Sequence, residues 1–314
     1  MEEISKIAEG IRSLEIQGAR NVAIAGLRAL RILVKNAEVD NRSELLGRMS
    51  ETARELSLIR VTEPGLRNVL ASVIHATKKQ GDLGLDQSRI HAEGKIDDML
   101  EVLDSNLAKI REHGADVIED GATVFTHCHS SSVTSLIISE SKHKEVSVIC
   151  TETRPRWQGR KTARELADNG VDTTLFVDSA THMYLSEADL VLIGADSVGG
   201  GRLYNKIGSY MVISFAKDLG IPSYSVCETQ KFDPLVAIGY VQPVEQRASS
   251  EVIEGNVPFK VRNPAFETVP IDMFNGIITE QGIVAPPDVD EVMRRYEHLI
   301  PELKGLVEWD DWEE

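Results

Sequence analysis

Cationic residues are in short supply in this 314-residue chain, where 34 Lys and Arg stand against 50 Asp and Glu for a net charge of −16. That balance favours solubility and argues against a nucleic-acid partner, whose phosphates a basic face would have to neutralise. Cysteine is scarcer still, with three residues at 128, 150 and 227. Their number and wide spacing suit reduced thiols in a cytoplasm rather than a disulfide framework. No apolar run approaches the roughly 18 residues that cross a bilayer. The opening MEEISKIAEG is acidic at its start, so neither a signal peptide nor a membrane span is expected. The length suffices for two domains, and 42% hydrophobic content is ordinary for a chain with a sizeable core.

The first third reads as helical. Ile4, Ile7, Ile11 and Leu14 recur at three- and four-residue steps on one helix face. A break at Gln17-Gly18-Ala19 precedes a second periodic run from Val22 to Val34, and further helix is expected over 43–59 and 94–112. From residue 113 short β-rich runs alternate with helical segments: ATVFTH, VSVIC, TTLFV, ADLVLIGAD and PSYSVC are the strands. The intervening helices are expected over 131–144, 160–169 and 205–219. Such alternation builds βαβ units around a mainly parallel sheet buried on both faces. The predicted architecture is therefore α/β, with a helical domain over 1–112 and a Rossmann-like domain over 113–314. Residues 229–276 are expected to wander over the surface, and the tail EWDDWEE to be a solvated acidic end.

Ligands of parallel α/β sheets bind beyond the C-terminal ends of the strands, which directs attention to the residues closing each run. Cys128 sits where a strand gives way to serines and a helix; helix-terminal amides there favour a thiolate, although a buried cysteine that only packs fits the position too. The flanking His127 and His129 invite a metal reading, but strand neighbours point to opposite faces and no second Cys/His pair with ligand spacing exists, so no metal is expected. Asp196 follows an apolar strand in GADSVGGG, a poor match to the dinucleotide fingerprint. It suits either a general acid or base or the cap of a turn. Asn205 and Lys206 at the start of the next helix, beside glycine amides, make a candidate phosphate cradle. Gly18, Ala19 and Arg60 are candidates to add to it. RPRWQG at 154–159 is either a second cationic loop or a turn whose Trp157 packs on a neighbour.

Taken together, THCHSS, ETRPRWQGRKTARELA, VDSATHMYL, GADSVGGGRLYNKIGS, NPAFETVP and ITEQGIVAPP resemble the archaeal ribose-1,5-bisphosphate isomerases. That family shares a superfamily with methylthioribose-1-phosphate isomerases and the regulatory subunits of the eukaryotic initiation-factor nucleotide-exchange complex. The resemblance covers the QGA turn, Arg60 and everything from about 117 to 287. It implies conversion of ribose 1,5-bisphosphate to ribulose 1,5-bisphosphate in nucleoside monophosphate breakdown, with Cys128 and Asp196 as the acid–base pair. It assigns phosphate and substrate binding to Gly18, Ala19, Arg60, Arg154, Gln158, Asn205 and Lys206. It further implies no metal or redox cofactor, a homodimer or homohexamer, and AMP as a candidate effector.

The chain departs from the family pattern at Gln17, where Arg is common, at Val61, where Pro is common, and at Gly200-Gly201 and Ser209. Two rival readings follow from the same superfamily. One is a non-catalytic subunit that senses a sugar phosphate or nucleotide, for which a Cys/Asp pair has no chemical use. The other is an isomerase of methylthioribose 1-phosphate, whose thioether end needs an apolar pocket where Arg154, Arg156 and Lys161 suggest a distal phosphate instead.

Overall fold

The structure, a computed structural model, describes residues 2–81 and 83–308; the acidic tail from residue 309 lies outside the described residues. Five helices open the chain: α1 (Glu2–Arg12), α2 (Ala19–Asn36), α3 (Arg42–Ile59), α4 (Pro64–Lys79) and α5 (Leu85–Gly114). The expected stripes are present except at Leu14, which lies beyond the end of α1 with φ 65°: Ile4 and Ile11 are buried on α1 and Val22, Leu27, Leu30 and Leu33 on α2. Helix α4 has no counterpart in the sequence reading. Leu66, Val69, Leu70, Val73 and Ile74 form its apolar stripe, and the polar Arg67 and Asn68 are buried as well. Its start is marked by Pro64, whose fixed φ and missing N–H suit a first helical position.

The parallel sheet follows. Strands β1 (Thr123–Thr126), β2 (Ser147–Thr151), β3 (Asp172–Phe176) and β4 (Leu190–Gly194) alternate with helices α6 (Ser131–Glu140), α7 (Gln158–Asp168) and α8 (Thr181–Leu185). A hairpin of β5 (Ser197–Gly199) and β6 (Arg202–Lys206) precedes α9 (Ser209–Leu219), after which come β7 (Ser223–Val226), β8 (Phe266–Pro270), β9 (Gly276–Thr279) and β10 (Gly282–Val284). Short helices α10 (Val289–Arg294) and α11 (Ile300–Lys304) close the described chain. Seven strands form one sheet in the order β10-β9-β7-β4-β1-β2-β3, parallel throughout except for β10 against β9. Strand β4 is buried at every position, which explains its continuous apolar run. The fold is thus the expected α/β class with a helical N-terminal region and a mainly parallel sheet. Among the described residues no helix is long and apolar enough to cross a membrane.

By packing, the chain forms two units, where the sequence reading places one division at 112. The helical unit comprises residues up to Ser105, Gln230–Pro243 and the stretch from Glu291; the α/β unit comprises Asn106–Thr229 and Val244–Asp290. The segment 229–276 runs over the surface as expected only in its middle, where residues 243–262 are exposed or half-buried; its two ends are built into the fold. Phe232, Asp233 and Leu235 are fully buried, with Leu235 in the core of the helical unit. Strand β8 completes a second, three-stranded antiparallel sheet with β6 and β5. Within the helical unit, Arg67 donates to a carboxylate oxygen of Asp233 and to the carbonyl of Val61 at 3.0 Å. Asn68 reaches the carbonyls of Gln230 and Phe232 at 2.6 and 2.9 Å.

Candidate active site

Adjacent strands β1 and β4 carry Cys128 and Asp196 just past their C-terminal ends. The two loops approach closely: a Cβ on Gly194 would stand 2.8 Å from the Cβ of Ser130. Cys128 is half-buried and adopts a left-handed backbone with φ 70°. Burial pushes its thiol up to about 11; the Lys206 ammonium and a backbone N–H of His129 pull it down, while Asp196 and Asp178 push it further up. The expectation of a thiolate favoured by helix amides is therefore corrected. Cys128 stands three residues before α6, whose own N-cap is Ser130, and at neutral pH it is a thiol. Asp196, Lys206 and Asp178 are nonetheless the charges that this sulfur feels, so the structure gathers the first two with Cys128 as the sequence reading requires.

Asn205 and Lys206 occupy the end of strand β6 rather than the start of a helix, because α9 begins only at Ser209. The glycines that suggested a phosphate loop serve a hairpin instead. Gly199 pairs with Arg202 across the antiparallel register, and the two residues between them, Gly200 and Gly201, take φ of 59° and 69°, as a tight primed turn demands. The amides at the start of α9 are taken by a carboxylate of the protein: Gly208 and Tyr210 both donate to Oε1 of Glu267, at 2.6 and 2.9 Å. What remains of the cradle is the pair of side chains. Asn205 is 5% and Lys206 8% exposed, with Asn205 donating to Ser209 at 2.8 Å and the Lys206 ammonium 5.0 Å from the Phe266 ring centre.

The 154–160 loop combines both readings of its sequence. The Arg154 and Arg160 guanidiniums lie over the Trp157 ring at 4.6 and 3.6 Å, so the tryptophan does pack, and it packs on cations. Arg154 also donates to the Val252 carbonyl at 3.0 Å. Arg156 pairs with Glu251 at 3.1 Å, so one of the three cations read as favouring a distal phosphate is already engaged. Gln158 opens α7, and its Oε1 is buried with no hydrogen-bond partner, an atom suited to accept from a sugar hydroxyl. The next residue must be glycine, since a Cβ at 159 would stand 1.7 Å from the Thr151 carbonyl oxygen. Gly159→Ala is expected to push the loop off β2 and lower stability by about 1–3 kcal/mol, read from the unfolding midpoint of the full chain.

Neither histidine of the HCH triplet is placed for a metal. His127 is buried, 2.6 Å from the Thr151 hydroxyl through Nδ1 and 2.9 Å from the Ile207 carbonyl through Nε2. His129 lies 3.1 Å from the Thr162 hydroxyl; burial and Lys161 hold it down at about 4. Among the described residues no group of three His, Cys, Asp or Glu could hold a metal ion. Sequence reasoning missed Thr162 and Glu267, whose contacts span 34 and 59 residues and leave no local pattern. Just past β3, the Asp178 carboxylate accepts from the amides of Thr153 and Arg154 at 2.7 and 2.6 Å.

The remaining candidates belong to the helical unit. Gly18 is the N-cap of α2 at φ 86°, with no side-chain cap and no acidic residue in the first turn, and Ala19 is the first helical residue. Arg60 ends α3, is 8% exposed and donates to a carboxylate oxygen of Glu63, leaving its Nε buried and unpartnered.

A parallel sheet with a cysteine and an aspartate at adjacent strand ends, preceded by a helical region, defines a class, and the chain belongs to it: residues 15–286 match the Initiation factor 2 subunit family. Among its relatives, the ribose 1,5-bisphosphate isomerase of Thermococcus kodakarensis is 34% identical over 321 residues, covering 99% of each chain. The methylthioribose-1-phosphate isomerase of Pelotomaculum thermopropionicum is 31% identical over 317 residues, covering 93% of this chain and 85% of that protein. Among solved structures, the translation initiation factor eIF-2B of Pyrococcus horikoshii superposes with a TM-score of 0.80 at 28% identity, over 91% of this chain and 98% of that one.

Proposed function

We propose that this protein is an aldose–ketose isomerase that converts ribose 1,5-bisphosphate to ribulose 1,5-bisphosphate. The observation that carries the reading is the meeting of Cys128, Asp196 and Lys206 in one electrostatic environment, in a chain that matches a bisphosphate isomerase end to end. In the proposed sequence Cys128, as thiolate, takes the proton from C2. The electron pair forms the C1–C2 double bond, and the ring oxygen leaves C1 with a proton from Asp196. Asp196 then recovers a proton from the C2 hydroxyl as the carbonyl forms, and Cys128 returns its proton to C1. Both groups end as they began, and neither a metal nor a redox cofactor is required. Lys206 and Asn205 are proposed to hold a phosphate, as are Arg154, Gly18, Ala19 and Arg60, and Gln158 a sugar hydroxyl.

The raised thiol sets the pH dependence. A thiolate at Cys128 and an acid at Asp196 hold one proton between them, so kcat/KM, which reports the free enzyme, is expected to stay level from pH 7.5 to 9.5 and to fall only as the raised thiol itself ionises, at about 11. A second reading, which the raised thiol favours, has the Cys128 thiol protonate the ring oxygen and the Asp196 carboxylate take the C2 proton; it holds the same single proton and predicts the same level profile, so a tenfold rise per pH unit would remove Asp196 from the pair.

The substrate is tested by proton NMR in deuterated water with ribose 1,5-bisphosphate, and methylthioribose 1-phosphate in parallel. Ribulose bisphosphate is the expected product, with deuterium at C1 only to the extent that the proton on Cys128 exchanges with solvent before its return. Conversion of the thioether sugar alone would reassign the substrate, and conversion of neither would favour a sensing subunit. From the family we also propose a homodimer or homohexamer with AMP as effector, checked by sedimentation and by activity with and without AMP. The cytoplasm is proposed as its location, supported by three free cysteines.

A further inference from the structure

Of the four non-glycine residues with left-handed backbone among those described, three are Cys128, Thr153 and Trp157, all in the candidate site. Thr153 is β-branched, and such residues avoid this conformation. Backbone outliers persist where their surroundings over-determine them, and they gather at functional sites. The surroundings here form a chain of hydrogen bonds whose directions are forced. The Ile207 carbonyl only accepts, so the Nε2 of His127, 2.9 Å away, carries the proton. Nδ1 is then a lone pair that accepts from the Thr151 hydroxyl at 2.6 Å. With its proton so placed, the Thr151 oxygen accepts from the Thr153 hydroxyl at 3.2 Å. The Thr153 oxygen in turn accepts the Cys128 N–H at 3.0 Å. Burial keeps His127 below its usual range, which preserves the neutral ring that this order needs. Two further contacts brace the ends: Asp178 holds the Thr153 amide at 2.7 Å, and the Thr162 hydroxyl donates to the Cys128 carbonyl at 2.8 Å.

We infer that Thr153, Thr151 and His127 are positioning residues for Cys128, fixing its left-handed backbone and thereby the direction of its thiol. The inference rests on the reading of Cys128 as the proton-transfer thiol. The chain runs from Cys128 to the residue after Lys206, so it sets the sulfur and the ammonium that faces it in one frame. A merely packed cysteine has no use for this, because a thiol in an apolar core needs no particular backbone hand.

Thr153→Val keeps the shape of the side chain and removes the hydroxyl in the middle of the chain; Thr153→Ser restores it. The valine variant is expected to lose at least tenfold in kcat with KM within about threefold, and the serine variant to stay within threefold of the native protein in both. Alkylation of Cys128 by iodoacetamide at pH 8.5, localised by mass spectrometry, gives a readout that needs no substrate. Its rate is expected to change more than threefold in the valine variant and to be recovered in the serine variant. Thr151→Val, one link further on, is expected to move the same two readouts in the same direction and serves if Thr153→Val does not fold. Unchanged alkylation and kcat in the valine variants, or equal losses in the serine variant, would overturn the inference. Native protein that is inactive on the bisphosphate would instead refute the substrate reading, and the alkylation contrast would still decide the positioning roles.

Discussion

Cys128→Ser is expected to lower kcat by roughly 10²–10⁴-fold, the range that a positioned acid–base group contributes, while KM stays within a few-fold. The substitution leaves the backbone contacts of residue 128 to Thr153 and Thr162 in place, so the site keeps its form. What it removes is the sulfur, which a serine hydroxyl cannot replace in proton transfer, because it is far less acidic than even a thiol pushed up to about 11. Asp196→Asn is expected to act in the same way, because an amide neither supplies nor recovers the proton on the ring oxygen. A Cys128→Ser protein turning over within tenfold of the native rate would remove Cys128 from the mechanism. The serine variant should still bind the bisphosphate, which isothermal titration checks directly.

The largest effect on stability is expected at Asp233. Its side chain is fully buried and Arg67 is 2% exposed, so Asp233→Ala strands a guanidinium away from water and from its counter-charge. Breaking a buried pair from one side costs about 3–5 kcal/mol, and the unfolding transition of the full chain should move accordingly. Replacing both partners with apolar residues of similar volume, as in Arg67→Met with Asp233→Leu, is expected to recover most of the loss, because the penalty lies in the orphaned charge. A single variant as stable as the native chain would show that water reaches Arg67.

Much of this architecture is legible before any coordinates. The strands closing on His127, Thr151 and Gly194 read clearly because burial on both faces gives each a short apolar run, and their order alone places Cys128 and Asp196 at strand ends. Helix α4 went unread although Leu66, Val69, Leu70, Val73 and Ile74 recur at three- and four-residue steps; what no pattern shows is that its polar Arg67 and Asn68 also lie inside. The 194–206 segment misled because GADSVGGG has the composition of a loop before a helix, whereas two glycines at positive φ turn a hairpin. The charge state of Cys128 was out of reach altogether. It depends on burial and on Asp178, Asp196 and Lys206, none within 40 residues of it.

The discontinuity of the helical unit bears on how the protein is made. A ribosome releases residues in order, and the first 105 emerge without Asp233 to neutralise Arg67, without Gln230 and Phe232 to receive the Asn68 amide, and without Leu235, Leu299 and Leu303 to complete their core. The opening helices must therefore wait, incompletely packed, until nearly the whole chain has been synthesised.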